Sequence, residues 1–549
     1  MMSDLYEIIK NRTAIAVLIL TLAGSSIWVG YNIVLRHQSK NDDTVVIRLA
    51  HRVTDKNVQK AFRVIADKYE QINPGVKIEF LLIADKAYQQ WITTQCIGKT
   101  VPDIVQMGGY YEQTWQSLAT RYMIPLSGYV NRPNPYNVNT ELENLSWRET
   151  YLDRMSSGYW DHLTEFYTIP LTVETIRVYY NKDMFAQAGF NDAPKDLDEF
   201  FAVCEKLKTY SGKKGRVFPI AANNMDIYTI FYRYYSVLAD GMIDQYDACY
   251  WGSPRIECAL YGLYSGAFTF NNEKIKQPFE VIKKIMSYAQ PGFISSDSSQ
   301  ARFLFIQQDA AMIVGNVRDA KVFADSADFN IGIFDFPLPS ANDPLNGGFA
   351  MAQMSESQVP TIHFSLTRNS PNQDKAVDFM MYCTSLKENE LFNKLVNWYP
   401  VIKGAEPLPQ IAVFKPHPVG AGARFMPIEL NLPQVALWFR QEFPRYLTNE
   451  INFEQLADSL DEVWLTSGVE DYVNRDVIYK RMLSRSHFNV AVEQSKMLFD
   501  EAGEVKMGGL VGECSPYQLS VEVLNVMQHS IDARKYTWYH LQQGDYQFP

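Results

Sequence analysis

Three tyrosine pairs, Tyr110–Tyr111, Tyr179–Tyr180 and Tyr234–Tyr235, put phenols side by side. Paired phenolates can hold a hard cation such as ferric ion; the same rings can stack on a flat ligand face or fill a core. That choice recurs across the chain, because 33 Tyr, 31 Phe and 10 Trp make it 13% aromatic. The six cysteines, Cys96, Cys204, Cys249, Cys258, Cys383 and Cys514, form no CxxC or zinc-type cluster. Cys249 and Cys258 bound the stretch CYWGSPRIEC. They are read either as a loop disulfide of an oxidising compartment or as two buried thiols. Trp251, between them, is a stacking candidate. Motifs for covalent chemistry are lacking: no Gly-x-Ser-x-Gly turn, no His-Glu-x-x-His helix, no phosphate loop and no dinucleotide glycine motif. Glycosidase carboxylates leave no local signature, so that one enzyme class stays open and the others are disfavoured. No cofactor is expected.

The elements that would position these residues alternate between the two periods of regular structure. TVVIRLA (44–50) reads as a strand. Val58, Phe62, Ile65, Ala66 and Tyr69 recur at helical spacing over 57–72, and Asn73-Pro74-Gly75 ends that helix before the strand VKIEFLLIA. PDIVQM is a third strand, followed by Gly108 and Gly109. This β-α-β order predicts an α/β protein. Ligands of open α/β sheets sit beyond the carboxyl ends of strands. The loops at His51–Thr54 and Gly108–Glu112 should therefore line one wall of a cleft, with His51 and Arg52 among the candidates. Further on, VETIRVYYN (173–181) reads as one strand. A helix follows, started by Asp196 or Asp198 and stopped by Gly212. DAAMIVGN is a strand ending at Gly315-Asn316, and a helix pair over 372–396 breaks near Thr384-Ser385. Helical patterns continue from Leu432 through Leu483 and from Pro516 to about Tyr539.

Residues 13–35 carry no charge. About 20 such residues span the hydrocarbon core of a bilayer. Lys10 and Arg12 precede them, which places the N-terminus in the cytoplasm and the rest of the chain outside. A signal peptide with its apolar stretch over Ala14–Ala23 and small residues near a cut is the rival reading. Both export the body. The formal charge of −11 and the lack of a basic stripe argue against nucleic acid, whose phosphates need clustered Lys and Arg. Length predicts two or three lobes.

Several segments together resemble the extracellular solute-binding proteins of carbohydrate ABC importers, the group that includes maltodextrin-binding proteins. They are VPDIVQM, MIPLSGYV, YTIPLTVETIRVYYNKDMFAQAGFNDAPKDLDEFFAVCEKL, DAAMIVGNVRDA and TRNSPNQDKAVDFMMYCTSLKENELFNKLVNWYPVIKG, which stand in the family's order across residues 44–404. The resemblance implies a periplasmic-binding-protein fold of two hinged α/β lobes with a ligand between them. One lobe would comprise 44–172 and 362–398 and the other 173–350 and 400–549, after an anchor and linker over 1–43, with 351–361 and 399 as crossings. It further implies a monomer that closes on a small molecule and presents it to ABC permease subunits; a membrane-tethered sensor of the same fold is the alternative.

It also implies site residues. Tyr110 and Tyr111 occupy the first ligand loop, where maltodextrin binders carry charged groups. Glu174 falls where sugar-binding relatives have an acidic contact, or else forms a hinge salt bridge with Arg177. Asn316 and Arg318 follow the Ala-Met strand, where the family often has a stacking aromatic; Arg318 could pair with a ligand carboxylate, which would suit an acidic sugar, or with a carboxylate of the other lobe. Gly347 and Gly348 let a backbone approach a ligand or simply turn at a crossing. Trp398 and Tyr399 precede a crossing where relatives offer an aromatic platform.

Overall fold

A computed structural model describes residues 44–471 except 110–112, 161–162, 164, 213–214, 240–255, 341–352, 357–359, 418, 422–425 and 428–431, with a few positions after 535. Residues 13–35, Tyr110, Tyr111, Trp251, Cys249, Gly347 and Gly348 lie outside the described residues, as does most of the helix expected over Pro516–Tyr539. Among the described residues no helix is long and apolar enough to cross a membrane.

Ten strands matter to the site: β1 (Val45–His51), β2 (Val76–Leu82), β3 (Ile104–Gln106), β4 (Ile169–Val173), β5 (Ile176–Asn181), β6 (Phe218–Ala221), β7 (Ala310–Asn316), β8 (Ile331–Phe334), β9 (Pro360–Leu366) and β10 (Tyr399–Pro400). They make a six-stranded sheet in the order β10-β4-β9-β3-β1-β2 and a four-stranded sheet in the order β6-β7-β5-β8. β1 runs parallel to β2 and β3, and β6 parallel to β7. The predicted strand over 173–181 is in fact two strands of different sheets. Val173 ends β4 in the first and Ile176 begins β5 in the second, so the chain crosses between sheets at Glu174 and Thr175.

Helix α1 (Lys56–Ile72) starts where predicted, with the Asp55 carboxylate accepting from the Asn57 backbone N–H at 2.8 Å. Its buried stripe of Val58, Phe62, Ile65 and Tyr69 covers one face of the first sheet. Helices α2 (Asp85–Ile97) and α3 (Gln113–Tyr122) cover the other through Tyr88, Ile92 and Trp115. In the second sheet, α4 (Leu197–Thr209) is capped by Asp196, whose carboxylate accepts from Glu199 N–H at 2.9 Å. It stops at Thr209 rather than Gly212, because Ser211–Gly212 pairs with Gly215–Arg216 as a small hairpin. Helices α5 (Asp226–Leu238) and α6 (Glu273–Met286) share its face. Helices α7 (Ser298–Ile306) and α8 (Asp319–Ser326) take the opposite one.

Helices α9 (Gln373–Cys383) and α10 (Leu386–Val396) break at Thr384-Ser385 as predicted and return to the first sheet beside α1. Residues 400–403, assigned from sequence to the second lobe, stay with the first sheet: β10 pairs with β4, Ile402 bridges Tyr151, and Lys403 N–H donates to Thr150 C=O at 2.8 Å. Helices α11 (Pro433–Leu447) and α12 (Phe453–Val463) then join the core of the second sheet, where Phe279 stands edge-on to Phe231 at 4.9 Å and to Phe443 at 5.6 Å.

Candidate ligand cleft at the crossing between the sheets

Strand direction decides which loops meet. β9 is antiparallel to both β3 and β4, so β4 points the same way as β1 and β3. Their carboxyl ends at Val173, His51 and Gln106 share one edge of the first sheet. In the second sheet, Ile176 at the start of β5 pairs with Asn316 at the end of β7. The carboxyl ends of β6 and β7 therefore sit at the edge where the chain enters. The crossing at Glu174–Thr175 thus joins the two loop-bearing edges, which is where ligands bind in open α/β sheets.

Glu174 and Arg318 close the floor of this junction. The Arg318 guanidinium donates to the Glu174 carboxylate at 2.7 Å, with side chains 47% and 18% exposed. Arg318 is held by its own loop: Asn316 Oδ1 accepts from Arg318 N–H at 3.0 Å, and Asn316 N–H donates to Asp319 at 2.9 Å. The Asn316 side-chain oxygen is thus engaged in shaping the turn, and its carbonyl accepts from the Tyr179 hydroxyl at 2.8 Å. Arg302 holds Asp319 at 2.8 Å. On the first wall, Arg52 donates its backbone N–H to Gln106 Oε1 at 3.0 Å and its guanidinium meets Asp85 at 3.2 Å. Gly108, next along that wall, admits no side chain, since an added Cβ would lie 2.0 Å from the Trp115 indole.

The structure does not bring every predicted residue here. His51 lies in the core. The period of two along β1 puts it on the same face as Ile47 and Leu49, and its ring packs 5.1 Å from Phe62. Burial lowers its pKa to about 4, so the imidazole is neutral at ordinary pH. Trp398 is 3% exposed and belongs to the core of the first sheet. Tyr399 is also buried, but it pairs with Val173, one residue from Glu174. Arg177 does not pair with Glu174; it turns to Glu356 at 2.7 Å.

The tyrosine pairs are dispersed. Tyr179 and Tyr180 alternate to opposite faces of the second sheet and sit in different clusters. Tyr234 and Tyr235 are both buried in one core, where burial raises their pKa. Neither pair can offer two phenolates to one ion. Cys258 is buried in the helix Ile256–Ser265, and Cys96, Cys204 and Cys383 are free buried thiols.

Sequence reasoning missed the loop after β6. Asn223 donates its backbone N–H and its amide to Asp226 at 3.0 and 2.7 Å, and Gln290 clamps Ala222 from both sides. Burial, reinforced by Asp319, pushes the Asp226 carboxyl up to about 7 against the opposing Asn223 bonds. Met225 stands 64% exposed on this loop. The signal was present as Asn-Asn after the short apolar strand FPIA, but it is too common a turn pattern to single out without the sheet.

These features agree with the comparisons to known proteins. The family model of the bacterial extracellular solute-binding protein matches residues 55–390, more than half of the chain. The chain belongs to that family. A binding protein of Brucella abortus (strain 2308) is 27% identical over 184 residues, 33% of this chain and 39% of that relative. The multiple sugar-binding protein of Streptococcus mutans is 23% identical over 193 residues, 34% of this chain and 38% of that relative. The chain thus spans well under half the length of these curated relatives. The solved structure of the sugar-binding protein MalE from Xanthomonas citri superposes with a TM-score of 0.55 at 16% identity, covering 79% of this chain and 99% of that one. The fold is accordingly that of two-lobed solute-binding proteins, and the body of this family member is extracytoplasmic.

Proposed function

We propose that the chain is the receptor of an ABC importer that binds a sugar or oligosaccharide between its two lobes, closes on it and delivers it to a membrane permease. The Glu174–Arg318 pair carries this reading. It sets one acceptor and one donor group side by side at the junction of two loop-bearing sheet edges. A sugar hydroxyl donates and accepts at once, so adjacent hydroxyls can satisfy both partners. A uronic acid would bring its carboxylate up against Glu174, and Arg318 already has its counter-ion. The pair therefore favours a neutral sugar over an acidic one.

Recognition of this kind needs no bond made or broken, so the protein acts by binding and not as an enzyme. Residues 13–35 serve as a membrane tether or as an export signal, and the receptor acts as a monomer. Tyr399, Arg52 and the Asn223–Met225 loop complete the cleft, and Tyr110, Tyr111, Gly347 and Gly348 are further candidate ligand contacts. The test is thermal unfolding of the solubilised full chain against neutral mono- and oligosaccharides, uronic acids and ferric ion. A ligand at 100 times its dissociation constant adds about 2.7 kcal/mol of stability. A rise with a neutral sugar that Glu174→Ala removes supports the reading; a rise with uronic acids or iron alone overturns the neutral-sugar assignment.

A further inference from the structure

Among the described elements the chain passes between the sheets three times, and one buried charge cluster touches all three passages. Arg177 lies just past the first, at the root of β5. Asp335 follows β8 where the second begins, and Glu356 lies further along the same passage toward β9. His417 belongs to the third, which leaves β10 and leads to α11. Arg233 reaches in from α5.

The bonds are dense. Glu356 Oε1 accepts from Arg177 at 2.7 Å and from Arg233 at 2.6 Å, while Oε2 accepts from Arg177 at 3.1 Å and from His417 N–H at 3.1 Å. The Glu356 backbone N–H donates to His417 C=O at 2.8 Å. Asp335 stands 2.6 Å from the His417 imidazole, 3.5 Å from Arg233 and 3.7 Å from Arg177. Arg177 also donates to Val413 C=O at 3.1 Å and Lys415 C=O at 2.7 Å, and Thr175 Oγ1 donates to Phe414 C=O at 2.8 Å. Side chains of Arg177, Glu356 and Arg233 are only 1%, 3% and 4% exposed.

Two guanidinium groups and two carboxylates balance in charge. A buried ion pair is not a cheap source of stability, since well-packed apolar side chains of similar volume often do as well. What such a cluster supplies that they cannot is a fixed geometry, because each carboxylate oxygen and each N–H accepts only particular directions. Here the fixed objects are the passages themselves.

We propose that Arg177, Arg233, Asp335, Glu356 and His417 form a hinge clamp: positioning residues that pin all three passages to the second sheet, so that the clamped parts of the passages move with that sheet when the lobes move. The clamp sets the path and range of closure without touching ligand. It rests on the reading of the chain as a receptor whose lobes close.

The test needs no ligand, so it stands apart from the identity of the sugar. Labels carried by noncanonical residues at Ile97 and Phe303, exposed by 69% and 61% on helices of the two different sheets, report lobe separation by pulsed electron resonance on the full chain. Asp335→Asn, at a side chain still 24% exposed, is the gentle variant, and Glu356→Gln the severe one. Both should widen the unliganded distance distribution about twofold, as when a constrained equilibrium gains new states. Arg233→Met should do the same and Arg233→Lys restore it in part. Glu388→Gln, which breaks the Lys68–Glu388 pair on the first sheet, should lower the melting midpoint and leave the distribution unchanged. If Asp335→Asn melts cooperatively at a lower temperature with an unchanged distribution, the cluster only stabilises the second lobe and the proposal fails.

Discussion

Two arginine–glutamate pairs lie three residues apart along β7's neighbour strand and its entrance, and they behave as opposites. Glu174–Arg318 is half open to water, with each partner on a loop at a strand end. Arg177–Glu356 is closed off, bidentate and shared with a second arginine. An exposed pair contributes little to stability and can exchange its partner for a ligand hydroxyl at small cost. A buried one cannot lose a partner without stranding a charge. The first is suited to recognition and the second to holding shape.

The sharpest way to break the comparison is to remove one carboxylate from each pair. Glu356→Ala leaves two buried guanidinium groups facing Asp335 alone and should destabilise the protein by about 3–5 kcal/mol, read as a fall in denaturation midpoint. A loss under about 1 kcal/mol would mean that the cluster is hydrated. Trp398→Ala should cost a similar ~3–5 kcal/mol as a core cavity; a normal midpoint with lost ligand binding would return Trp398 to the cleft.

The pH dependence sharpens the same contrast. Burial alone would raise the Asp335 and Glu356 carboxyls, but His417 at Asp335 and the two arginines at both outweigh it and hold them below the ordinary range. Their contribution is present above the unfolded values and is lost as pH falls through the folded ones. Asp226 runs the other way. Its carboxyl is pushed up to about 7, so the folded state holds a proton the unfolded chain has released, and stability falls as pH rises from the ordinary carboxylate range toward 7. Asp226→Asn should flatten the second slope, measured by melting from pH 4 to 8, and Glu356→Gln the first, measured by melting as pH falls below about 4.

The smallest expected stability effects are at the open pair. Glu174→Ala and Arg318→Ala should each shift stability by less than about 1 kcal/mol, while ligand-induced stabilisation disappears. A large fall in stability without ligand would show that this pair, too, is structural.

Much of the fold was legible because its signals are local. The apolar spacing of α1 is plain in the chain, Asp196 caps α4 as one of its two expected starts, and the break at Thr384-Ser385 stands where two helical patterns meet. The lobe crossing at Glu174–Thr175 was hidden, because a run of alternating β-formers reads the same whether it pairs with one sheet or two. Glu174, Asn316 and Arg318 were singled out from the family pattern, but the pairing was not: Arg177, three residues away, was the one partner offered for Glu174, and the structure gives it Arg318, 144 residues away.

What the sequence determined by itself is the α/β class, the family and the helices and strands, since periodicity, caps and breakers act over a few residues. Tertiary structure alone decided which chemistry-bearing groups are available. His51 and Trp398 are polar or aromatic candidates in any linear reading, yet strand parity turns one inward and packing covers the other. Arg177 and Glu356 became a clamp only because three distant passages converge, a fact of topology that no local spacing records.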